Sequence, residues 1–120
     1  MDNSKIIVKK LDSLSKSKFR SSFKLSEKDR HYILDIGIDK IIKHAYDFVN
    51  KRLALKDIFN DGKQTPMKGH PVFVAQHATG TCCRGCLYKW HHIDKNRKLT
   101  DNEINYVVSI IINWIIKELS

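Results

Sequence analysis

Apolar residues along this chain recur mostly at helical rather than strand spacing. Residues 3–16 place Ile6, Ile7, Leu11 and Leu14 on one stripe, which predicts a short amphipathic helix. The serine-rich run SLSKSKFRSSF then loosens the pattern and reads as a connector. Periodicity returns at SEKD, where Ser26 and Asp29 have capping-box spacing. That helix should run to about Ile36 and stop at Gly37 in a left-handed cap. From about Asp39 to Leu53, Ile41, Ile42, Ala45, Phe48 and Val49 form the apolar face of a longer helix. KDIFNDGKQTPMKGH loses the period, and NDG and TPMKG carry turn chemistry. HPVFVAQHA predicts a short helix opened by Pro71 and ended at Gly80, although PVFV is also compatible with a strand. Thr81 is placed to cap a further short helix reaching about Trp90. Finally, TDNE is a capping box, and Ile104, Val107, Val108, Ile111, Ile115 and Leu119 sustain a stripe to the C-terminus.

The expected fold is therefore mainly α: a compact single domain of four to six helices, with short helices around a Cys/His cluster and a long C-terminal helix. Residues 1–18 make a basic N-terminal arm or short helix, and residues 19–120 make the single helical domain. At 120 residues, with 42% hydrophobic and 29% charged positions, the chain can bury one core. The longest apolar stretch, YVVSIIINWII, contains Ser109 and Asn113 and falls short of a membrane span. KIIVKKLDSL is broken by charge too early for a signal peptide. Three clustered cysteines do not make a disulfide framework, so a reducing cytoplasm is the expected setting.

Charge adds a second theme. The formal net charge is +9, from 22 Lys and Arg against 13 Asp and Glu. Residues 1–24 contribute +5 of it and residues 81–100 contribute +4. Lys95, Arg97 and Lys98 mark a basic patch that would attract nucleic acid or another anionic partner. A lysine-rich solvated surface explains the same charge without any partner, since no aromatic stacking platform accompanies it.

The chemistry concentrates in GHPVFVAQHATGTCCRGCLYKWHH, which holds all three cysteines and four of the six histidines. In a helix opening at Thr81, Cys82 and Cys86 are i,i+4 neighbours and Cys83 and Cys86 are i,i+3 neighbours. Either pair can meet one zinc ion, and the positive end of the helix favours thiolates. Candidate metal ligands are Cys83, Cys86, His77, Cys82 and His91. If no metal binds, Cys83 or Cys86 becomes a candidate nucleophile with His77 as its base. Arg84, His70, Asp61 and Lys63 are candidate ligand-binding residues, although turn chemistry alone explains Asp61. His44, among apolar neighbours in its helix, reads as a buried, hydrogen-bonded histidine. Packing offers a bland alternative, because free cysteine is commonly buried.

NDGKQTPMKGHPVFVAQHATGTCCRGCLYKWHHI, followed by LTDNEINYVVSIIINWI, resembles the bacterial and phage family of domains of unknown function numbered 4186. The resemblance spans about Phe19 to Trp114. It implies a compact bacterial domain with no assigned activity and supplies no catalytic residues. Three functions therefore compete. One is a zinc-binding module engaging nucleic acid or another anion. The second is a thiol- or metal-dependent hydrolase with Cys83, Cys86 and His77 at its active site. The third is a structural protein whose cysteines pack.

Overall fold

The computed structural model describes residues 4–55 and 62–120. Among them are seven helices and no strand: α1 (Ser4–Ser15), α2 (Lys18–Ser21), α3 (Glu27–Ile36), α4 (Ile38–Arg52), α5 (Pro71–Thr79), α6 (Arg84–His91) and α7 (Asp101–Leu119). The count exceeds the expected four to six through α2, a single turn inside the stretch read as a connector. Ser17 makes that turn possible, because its hydroxyl accepts the Arg20 backbone N–H. Both capping boxes form, Ser26 with Asp29 and Thr100 with Glu103, so the sequence signals for α3 and α7 have their expected cause.

The central element is α5. Every residue from Pro71 to Thr79 is buried, and the helix packs on α7 and against α1 to α4. An apolar face all round explains why PVFV looked ambiguous, since a fully buried helix loses its amphipathic period. Pro71 occupies the first helical position and the His70 ring caps the amides, which decides the segment as helix. The main core forms where α4 and α7 cover α5, with Ile41, Val49, Val72, Ala75, Val107 and Ile111 among its fully or nearly fully buried residues. A smaller satellite core joins Ile7 and Leu14 of α1 to Ile110 of α7.

Two chain reversals differ from expectation. Gly37 has φ 88° and ψ 152°, so it is not a left-handed cap; an extended step leads straight into α4. Gly80 does adopt the left-handed conformation, with φ 68° and ψ 29°. A Cβ there would lie 2.8 Å from Trp90 ring carbons, so the close approach of α6 also requires glycine. Thr81 does not cap α6. Its hydroxyl is drawn into the buried end of α5, 2.9 Å from the Thr79 hydroxyl, while its backbone N–H bonds the Gln76 carbonyl. The helix consequently opens three residues later, at Arg84.

Arg84 was a candidate ligand-binding residue, and the structure gives it another task. Its side chain is 3% exposed. The guanidinium donates to the carbonyls of Leu53, Ala54 and Leu55 on one side and of Asp94 and Arg97 on the other. It thus ties the end of α4 to the loop before α7, and its charge is spent on backbone dipoles. Arg84→Met is expected to leave these carbonyls without their shared donor and cost about 3 kcal/mol in urea unfolding, with Arg84→Lys recovering only part.

Candidate metal centre

The sulfurs of Cys82, Cys83 and Cys86 lie within 4.8 Å of one another, the one such group of metal-capable side chains among the described residues. They do not share a helix as expected. Cys83 is the N-cap of α6, with an extended backbone at φ −155° and ψ 168°, and Cys82 precedes it. Only Cys86 stands within the helix. Cys83 Sγ accepts the Cys86 backbone N–H at 3.3 Å, a thiol doing the work usually given to a hydroxyl or carboxylate. Cys82 is fixed from outside: Thr65 Oγ donates to its carbonyl at 2.7 Å. Cys82 and Cys83 are buried and Cys86 is partly exposed.

Arg20 completes the cluster. Its Nη2 donates to Cys86 Sγ at 3.2 Å and its Nη1 to Cys82 Sγ at 3.6 Å; Nη1 also donates to the His77 carbonyl at 2.7 Å. No local pattern marks this residue, which sits in the run read as connector. A lone arginine among serines has no periodic partner, so only the fold could bring it in.

The three thiols titrate as a unit. Hydrogen bonds from Cys82 and Cys83, reinforced by Arg20, hold Cys86 well below the ordinary thiol range. The bonds that Cys82 makes to Cys83 and Cys86, followed by burial, push its own thiol up. For Cys83 the bond from Cys82 pulls down, but Cys86 and burial outweigh it. Of the three thiols Cys86 is the one held low, and it belongs to the one residue that is partly exposed.

The histidines do not join this group. His77 lies buried in α5, and its Nε2–H donates to the Thr65 and Pro66 carbonyls at 3.1 Å each. Its ring stacks on Phe23 at a centroid distance of 5.4 Å. His91 spends both nitrogens, Nε2–H donating to the Thr79 carbonyl at 2.7 Å and Nδ1 accepting from the Tyr106 hydroxyl at 2.8 Å. His70 accepts the Val72 N–H on Nδ1, which leaves its proton on Nε2 facing His44 Nδ1 at 3.0 Å. His44 is hydrogen-bonded, as its position suggested, but it is half-buried rather than buried. Lys63 is exposed, and Asp61 lies outside the described residues. Lys95, Arg97 and Lys98 are exposed, but Arg97 is bound to Glu103 through two contacts of 2.6 and 2.7 Å, so that charge is locally cancelled.

Fold and site together define a small helical domain with a three-cysteine centre able to hold a metal ion. The model of the family described as domain of unknown function (DUF4186) matches residues 8–116, and the chain belongs to that family. No solved structure matches the chain.

Burial makes two of these histidines pH-sensitive struts. His91 is lowered to about 4 by burial, against the Thr79 bond and with help from Lys10, His92 and Arg20. His70 is lowered to about 4 by burial and by His44, with Asp29 opposing. Above pH about 6.5 both rings are neutral, folded or unfolded, and their contribution is fully present. Between about 6.5 and 4 the unfolded chain takes up protons that the folded chain refuses, so stability falls as pH falls. The expected loss is on the order of 2 kcal/mol for His91 and less for the more solvent-screened His70, and His91→Gln should flatten the slope in urea titrations across that window.

Proposed function

We propose that this chain is a small zinc-binding module whose metal is held by Cys82, Cys83 and Cys86. The observation that carries this reading is the mutual approach of the three sulfurs within 4.8 Å. Zinc bonded at about 2.3 Å to tetrahedrally placed thiolates sets sulfurs about 3.8 Å apart, so small rotamer adjustments complete the fit. Packing alone gives no reason to gather three thiols and set a guanidinium against two of them. Three protein ligands leave the fourth tetrahedral position to water or to an incoming ligand, the arrangement of zinc sites that activate water. Exposed Lys95 and Lys98, with the basic residues of the N-terminal arm, supply a surface for weak, salt-dependent attraction of nucleic acid or other polyanions.

A second reading is favoured by one observation, the partly exposed Cys86 sulfur set 3.2 Å from Arg20 Nη2. In metal-free protein it would serve as a thiol nucleophile, with its charge already stabilised by Arg20.

Elemental analysis of purified protein, paired with thiol titration, separates the two. The zinc reading expects about one zinc per chain and thiols that react only after chelation. Cys83→Ser and Cys86→Ser should then each lose zinc and unfold at lower denaturant. Metal-free protein with one fast thiol, abolished by Cys86→Ser, would replace zinc by the nucleophile. Three inert thiols in metal-free protein would end both.

A further inference from the structure

Arg20 is 8% exposed, yet among the described residues no carboxylate pairs with it. A guanidinium taken out of water needs strong acceptors: Arg84 finds five backbone carbonyls, whereas Arg20 has one. Apart from the His77 carbonyl, its hydrogen-bond acceptors are Cys82 Sγ and Cys86 Sγ. Its faces are covered by aromatic rings, Phe19 at 5.0 Å and Trp90 at 5.9 Å, which contribute attraction but no countercharge. The sulfur cluster must supply the rest, and sulfur accepts strongly only as thiolate.

Resting on the three-thiolate reading above, we infer that Arg20 is the built-in counter-cation of the centre. It sets the charge of the ion that the centre accepts and couples metal loading to the docking of the N-terminal segment. Three thiolates around a divalent ion carry one net negative charge, which one guanidinium cancels. A monovalent ion would leave the pocket negative, and a trivalent one would leave Arg20 without a counter-anion. In this low-dielectric setting such imbalances are costly, so Arg20 selects a thiophilic divalent ion.

The coupling follows from where Arg20 comes from. It stands on α2, and the rest of that segment is held by modest contacts: the Ile7–Leu14–Ile110 cluster and Lys10 Nζ donating to the Trp90 carbonyl at 2.7 Å. A metal that fixes the sulfurs presents Arg20 with rigid acceptors. The segment should then dock more firmly, and by linkage its docking should strengthen metal binding.

The test uses the full chain as wild type, Arg20→Lys and Arg20→Gln, each titrated with zinc and with arsenite, which forms a neutral complex with three thiolates. Arg20→Gln is expected to weaken zinc roughly 10- to 100-fold, as loss of an outer-shell partner does. Arsenite affinity should be retained within about threefold, and Arg20→Lys should fall between wild type and Arg20→Gln for zinc. Equal losses for both ions would reduce Arg20 to a shaping residue and overturn the inference, as would no loss for either. Amide hydrogen exchange on wild-type protein guards against a variant that fails to fold. Zinc loading should slow exchange across residues 4–21, and unchanged exchange there would overturn the coupling. A wild-type chain that takes no zinc sinks the metal reading itself, an outcome visible before any variant is made.

Discussion

A buried guanidinium must be surrounded by acceptors, and this domain solves that problem twice with opposite consequences. Arg84 is ringed by backbone carbonyls, which accept from both its Nη groups and leave it a strut. Arg20 has one carbonyl and two sulfurs. Sulfur bound to hydrogen is a poor acceptor, so the second arrangement is stable only when the sulfurs carry charge. The same residue type thus makes one site inert and the other electrically primed. That second pairing joins α2 to the end of α5 and to the cysteine loop.

The loop can be held this way because α5 is immersed in the core. Its C-terminal end is buried, so the orphan carbonyls there must find partners inside the protein. Gly80 turns the chain back, Thr81 N–H takes the Gln76 carbonyl, and Gln76 Nε2 donates to the Thr81 carbonyl. His91 takes the Thr79 carbonyl from α6. Each bond that satisfies the end of α5 also fixes the approach of α6. Cys82 and Cys83 lie in the short span between these two constraints. The path that brings them beside Cys86 is therefore held in place by hydrogen bonds at a buried helix end.

That dependence explains what the sequence disclosed and what it hid. Helices α3, α4 and α7 were legible because one face is buried and one wetted, and two of them carry capping boxes. The stretch HATGTCCRGC was legible as chemistry, because thiols and imidazoles are few and were gathered there. Its geometry was not. A Thr at position 81 promised a cap, yet burial made its hydroxyl worth more to Thr79 than to the helix it precedes. Cys83 supplied the cap instead, a residue that capping preferences do not rank. Arg20 lay sixty residues away in a serine-rich run, and no local pattern distinguishes an arginine that will be buried from one that will be solvated.

The placement of the histidines has the last consequence. His77 and His91 were expected at the centre, and each instead gives its Nε2 proton to backbone carbonyls, of Thr65 and Pro66 or of Thr79. His70 is committed to the first turn of α5. With imidazole drawn away into hydrogen bonds that the fold needs, the donor set gathered at the centre is sulfur alone. Sulfur-only sets bind soft and borderline ions and discriminate poorly among them by donor type. Charge is then the remaining basis for choice, and in this centre charge is governed by one arginine. On the three-thiolate reading, a fold that commits its histidines to structure moves selectivity from the ligands of the ion to the residue standing behind them.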